Sequence, residues 1–143
     1  MILVDANLLI YAYDPDCRQH EASRRWLEDA LSGAGLVRFA WLTIWAFIRI
    51  STSPHVFVRP LSAPEAHAAV ASWLKRPNAG IVEPGDRHLE ILGNLLRSGQ
   101  DAGALVMDAA LAAIAVEHGA TLCSTDRDFS RFPELDWRNP IEP

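Results

Sequence analysis

Short apolar runs alternate with stretches of helical periodicity along this chain, and few architectures satisfy that alternation. Ile2 to Val4 reads as a buried strand. From His20 to Leu31 the apolar positions Ala22, Trp26, Ala30 and Leu27, Leu31 recur at helical spacing. Leu36 to Ala40 is a second strand after Gly33 and Gly35. Thr43 to Ile50 is a helix, apolar on most sides and therefore expected to be deeply buried. Ser62-Ala63-Pro64-Glu65 is a capping box, opening a helix through Ala69, Val70, Trp73 and Leu74. Ile81-Val82 is a third strand. Asp86 to Arg97 is an amphipathic helix stopped by Gly99, and Ala104 to His118 an alanine-rich one stopped by Gly119. Thr121 to Ser124 and Leu135 to Trp137 complete the series as a fourth strand and an edge strand. Strands separated by helices build a parallel sheet covered on both faces. The expected fold class is therefore α/β, a three-layer α/β/α sandwich about a central parallel sheet. No repeat or linker divides residues 1–143, so one domain is expected.

Half of the residues are hydrophobic, enough for a core without disulfides. The apolar run from Ala109 to Val116 is far too short to cross a membrane. Met1-Ile2-Leu3-Val4-Asp5 lacks the basic start of a signal peptide. Cys123 lies in an apolar strand and reads as a buried free thiol, so a reducing cytoplasm is expected. The formal net charge of -5 argues against nucleic acid only weakly, because a metal-dependent nuclease carries a local excess of carboxylates. Lys75 is the only lysine, and the other twelve basic residues are arginines. Arginine forks onto phosphate, which suits a phosphodiester partner, although coding bias gives the same skew.

In sheets of this kind the functional crevice lies beyond the carboxyl ends of the strands. Asp5 ends the first strand, between Ile2-Leu3-Val4 and Leu8-Leu9-Ile10. A carboxylate there needs a cation, backbone donors or an arginine. The plainer reading is a helix N-cap for the segment starting at Asn7. Asp108 sits among Val106, Met107, Ala109, Ala110 and Leu111 on the alanine-rich helix. It could face water beside Glu117, but nine residues place the two on opposite faces. Asp126 and Asp128 follow the fourth strand in Thr125-Asp126-Arg127-Asp128-Phe129, a segment that alone reads as an ordinary capped turn. Carboxylates gathered from distant segments suit Mg²⁺ or Mn²⁺, which take hard oxygen ligands. Such ions serve phosphodiester hydrolysis. The five histidines show no metal-ligand spacing. Trp41, Trp45 and Phe47 crowd one helix and Trp73 marks another, a pattern whose bland explanation is core packing.

These residues, taken in order, resemble the VapC toxins of the PIN-domain family, in a mycobacterial-type branch. The resemblance rests on Asp5 with Asn7 after a hydrophobic strand, Arg49 in Phe47-Ile48-Arg49-Ile50, and Asp108-Ala109 on the alanine-rich helix. It continues through Glu117-His118-Gly119-Ala120-Thr121-Leu122, Ser124-Thr125-Asp126-Arg127-Asp128-Phe129 and the closing Trp137-Arg138-Asn139-Pro140. It implies a PIN-like α/β/α sandwich, a Mg²⁺ or Mn²⁺ site, cleavage of RNA, a homodimer and a VapB-type antitoxin as partner. Position by position it implies Asp5, Asp108 and Asp126 as metal-binding acids and Asp128 as a further catalytic acid. Asn7 and Thr125 would orient the carboxylates, and Arg49 would meet the substrate.

The pattern departs from the family at one place. Many PIN domains carry a glutamate three residues before that arginine, where this chain has Ala46. One expected acid is missing, so a second reading stands beside the first: a PIN-like protein with weakened or lost catalysis that acts mainly by binding. Phosphoryl transfer through a strand-end aspartate would need a nearby lysine, and Lys75 lies on a distant helix. Dinucleotide binding fails for want of a glycine-rich turn after the first strand.

Overall fold

The computed structural model describes residues 1–98 and 102–142. Strand β1 (Ile2–Val4) leads into α1 (Ala6–Tyr13) and α2 (His20–Ser32), then β2 (Val37–Phe39), α3 (Trp41–Ser51) and α4 (Ala63–Leu74). Next come β3 (Ala79–Ile81), α5 (His88–Ser98), α6 (Ala102–His118), β4 (Thr121–Cys123), a 3₁₀ helix (Arg127–Arg131) and β5 (Trp137–Arg138). The strands form one sheet in the order β3-β2-β1-β4-β5. Every pairing is parallel. All carboxyl ends therefore emerge along one edge.

The two faces carry separate cores. On one, α1, α2, α3 and α4 pack over Val4, Val37, Phe39 and Cys123, with Phe47 and Trp73 filling the middle. On the other, α5 and α6 pack over Leu3, Val82 and Leu122. The three-layer α/β/α sandwich expected from the sequence is the fold observed. Cys123 is a free, buried thiol, pushed up to about 11 by burial. Among the described residues no helix is long and apolar enough to cross a membrane.

Helix α6 approaches the sheet through small side chains. Ala109, Ala112, Ala113 and Ala115 are all fully buried. It ends where Gly119 takes a left-handed φ of 65°. There Ala120 N–H reaches Ala115 C=O at 2.9 Å and Gly119 N–H reaches Val116 C=O at 3.2 Å, which satisfies the last carbonyls. The Glu117 carboxylate accepts from the Gly85 and Arg87 N–H groups at 2.8 and 3.0 Å and ties the end of α6 to the loop before α5.

Three expectations are corrected. Helix α1 begins directly after Asp5, at Ala6 rather than at Asn7, in a stretch so uniformly apolar that periodicity alone displays no face. Strand β3 is Ala79–Ile81 rather than Ile81-Val82, although Val82 N–H still bonds Phe39 C=O at 3.0 Å. Helix α3 is not buried on all sides: Phe47 is enclosed, but Trp41 is 41% and Trp45 64% exposed. Gly99, expected to stop the amphipathic helix, lies outside the described residues. The alanines of α6 set its height over the sheet. Ala112→Leu is expected to destabilise the protein by about 1–3 kcal/mol through overpacking, measured by urea unfolding.

Candidate metal centre

The pairing of β1 with β4 builds the site. Val4 lies opposite Cys123, so the next residues, Asp5 and Ser124, leave the sheet side by side. Asp5 N–H donates to Cys123 C=O at 3.0 Å and prolongs the ladder by one rung. The Asp5 carboxylate is then fixed at both oxygens. Oδ1 accepts from Ala6 N–H at 2.7 Å, and Oδ2 accepts from the Ser124 hydroxyl at 2.7 Å. Asp5 is thus the N-cap of α1 as well as a strand-end carboxylate; the two readings describe one residue.

Ser124 is wholly buried and joins three segments. Its single proton goes to Asp5, so its oxygen can only accept from elsewhere. It accepts from Asp126 N–H at 3.0 Å and from Asn7 Nδ2 at 3.2 Å. Sequence reasoning assigned the orienting role to Thr125 and passed over Ser124. The Thr125 side chain makes no hydrogen bond among the described residues. No sequence signal separates the two; the register of β1 on β4 makes Ser124, opposite Asp5, the residue that can reach it. Asn7 does reach the site from α1, through Ser124.

Asp126 caps the 3₁₀ helix, its Oδ1 accepting from Asp128 N–H at 2.9 Å. Asp108 descends from α6. Asp108, Asp126 and Asp128 bring one carboxylate oxygen each within 4.8 Å of one another. Asp5 stands outside that tight group but within its field. Burial holds the Asp5 carboxyl above its usual range, opposed by the Ser124 and Ala6 hydrogen bonds and reinforced by the charge of Asp126. Asp108 is pushed up to about 6, first by burial and then by Asp126, Asp5 and Asp128. The three charges that raise it are all negative. Among the described residues the only ion pair to the cluster is Arg131 with Asp128, long at 3.8 Å and solvent-exposed. Arg49 is exposed in the last turn of α3 and is not among the charges that shift Asp5 or Asp108.

Hard oxygen donors from α6 and from the turn after β4, mutually repelling and with only one long, exposed ion pair to offset them among the described residues, are a donor set for a small divalent cation. The residues present fit Mg²⁺ or Mn²⁺. No histidine or cysteine joins the group among the described residues.

Comparison with known proteins agrees with this geometry. Residues 2–135 match the PIN domain. The chain is 46% identical over 140 residues to ribonuclease VapC37 of Mycobacterium tuberculosis, covering 98% of this chain and 97% of that one. It is 37% identical over 141 residues to ribonuclease VapC33 of the same organism, covering 99% of each. Among solved structures, VapBC2 from Rickettsia felis bound to a DNA fragment from its promoter superposes with a TM-score of 0.70 at 19% identity, covering 96% and 98% of the two chains. The chain belongs to the PIN-domain family and, within it, to the VapC proteins.

The repulsion among the acids has a measurable signature. The folded protein holds the Asp108 proton more tightly than the unfolded chain does, so metal-free stability falls as pH rises from 3.8 through about 6 and is level above. Asp108→Asn removes that loss. After allowance for solvent screening at this half-exposed group, it is expected to stabilise metal-free protein by about 1–2 kcal/mol above the shifted value. The gain should vanish as pH drops below 3.8. Thermal melts in EDTA across pH check it; a lower melting temperature for the variant at neutral pH would make Asp108 a structural residue.

Proposed function

We infer that this protein is a metal-dependent endoribonuclease, the toxin component of a type II toxin–antitoxin pair, which hydrolyses RNA phosphodiester bonds. The observation that carries the reading is the convergence of Asp108 with Asp126 and Asp128 at the carboxyl edge of a PIN-domain sheet, beside Asp5 and with no lysine or arginine among the charges on Asp108. The names of its relatives, ribonucleases VapC37 and VapC33, support the choice of RNA.

Asp108, Asp126 and Asp128 would hold Mg²⁺ or Mn²⁺, with Asp5 completing the negative field from β1. When bound, such an ion supplies positive charge to the phosphate and acidifies water for attack at neutral pH. The chain's own groups do the rest. Ser124 aims Asp5 by donating to Oδ2 and opposes the effect of burial on its carboxyl, and the Ala6 N–H holds the other oxygen. Asn7 holds Ser124 in turn and so acts at one remove. Thr125 remains a candidate for the same support, on position alone. Arg49 is the first candidate to position the RNA backbone, being exposed and unpaired among the described residues. A VapB-type antitoxin and a second copy of the chain are the partners this reading requires, in the cytoplasm.

Ala46 favours a second reading. Where many relatives of the fold carry glutamate, this side chain offers no ligand, and an inactive scaffold would look the same from outside. Direct Mn²⁺ binding separates the two, because a lost site has no use for the ion.

Two outcomes are expected. Asp5→Asn should abolish Mg²⁺-dependent cleavage of a structured RNA while leaving antitoxin binding intact. Asp128→Asn should reduce cleavage by at least the roughly 10–100-fold typical of losing an outer support of a metal site, because Ala46 provides no substitute. End-mapped cleavage of total RNA across a Mg²⁺ titration is the measurement. Cleavage that survives EDTA would refute the metal-dependent reading.

A further inference from the structure

The metal centre leaves one conspicuous surface unused. Along the exposed side of α3 successive turns present Trp41, Trp45 and Arg49. Residues four apart stand one above another on a helix, so the three form a stripe. The two indoles lie with ring centroids 6.4 Å apart and planes within 25° of parallel. Trp45 is nearly two-thirds exposed, while the other rings of this region, Phe47 and Trp73, are enclosed. Core packing therefore accounts for the latter pair and not for the former.

The position of the stripe is set by topology. Only Ala40 separates the end of β2 from helix α3, and β2 pairs with β1, which ends immediately before Asp5. Trp41 thus stands at the same sheet edge as the acids, just beyond the end of the neighbouring strand. Its indole N–H donates to the Glu83 carboxylate at 3.2 Å, which fixes the ring plane and occupies that anion. Beside Trp41 opens a cleft of about 580 Å³ whose lining includes Arg38, His118 and Glu83. A volume of this order suits one small ligand or nucleotide. Arg38 donates one nitrogen to two backbone carbonyls and keeps the rest of its guanidinium.

Resting on the reading of this chain as an RNA-cleaving enzyme, we propose that Trp41 and Trp45 are a stacking platform for single-stranded RNA, with Arg49 and Arg38 as its phosphate contacts. Every base offers a π-face to an exposed indole, and stacking of this kind binds single strands without demanding a sequence. Helix α3 carries no acidic residue to repel the backbone. The stripe ends in a cation, which a polyanion satisfies. In a chain of net charge -5 such a platform also lets RNA approach the acidic edge through contacts other than bulk attraction.

The test is binding of a short labelled single-stranded oligoribonucleotide to the full chain in EDTA, by fluorescence anisotropy, with sedimentation run on the same samples. Trp45→Ala should weaken binding about tenfold, the usual loss on removing one stacking ring, and Trp45→Phe should restore most of it. With Mg²⁺ present, Trp45→Ala should raise KM and leave kcat unchanged, as for a group that binds substrate and transition state equally. Wild-type affinity in both Trp41→Ala and Trp45→Ala would overturn the proposal alone. So would a variant that falls from dimer to monomer with RNA affinity unchanged, since the face would then belong to a second copy. Failure of the wild-type chain to bind any RNA, with no cleavage, would overturn the ribonuclease reading and this one with it.

Discussion

The parallel pairing of β1 with β4 is the constraint on which the site depends. Its register sets Val4 against Cys123, and everything chemical follows from what comes next on each strand. Asp5 and Ser124 emerge as neighbours, and one hydroxyl proton decides their arrangement. Because Ser124 gives that proton to Asp5, it must accept from Asp126 N–H and from Asn7, and so it draws the turn after β4 and the first turn of α1 together. A one-residue slip would send Ser124 elsewhere and turn the apolar strand residues to the wrong faces.

The same edge stores repulsion. Three carboxylates come within 4.8 Å and a fourth adds its charge from β1. Such an arrangement opposes folding unless something binds it, because like charges in a half-buried site raise one another's proton affinity. The rest of the fold holds it in place. Helix α6 is pressed to the sheet through alanines, capped at Gly119 and tied by Glu117 to the loop before α5. Asp108 therefore sits at a defined height over the acids of the turn. Strain of this kind at a functional edge, supported by an unstrained scaffold, is how a protein keeps a binding site open.

Much of this was legible in the sequence. The alternation of strands and helices determined the α/β/α class, because each apolar period admits one kind of element and parallel strands require covered faces. Asp5 and Asp108 stood out because a charge inside an apolar segment needs a partner, and Asp126 because it follows the carboxyl end of a strand. The capping box at Ser62 and the stop at Gly119 were readable because their chemistry is local. Tertiary structure decided what depends on distance between segments. It made Ser124, not Thr125, the partner of Asp5, since only strand register selects which of two adjacent residues faces the carboxylate. It placed Asp128 rather than Asp5 in the tight group of acids, because the 3₁₀ helix that starts after Asp126 brings the exposed Asp128 carboxylate back beside those of Asp126 and Asp108. It also left Trp41 and Trp45 open while burying Phe47 and Trp73, which composition alone cannot distinguish, since burial of a ring depends on whether another element arrives to cover it.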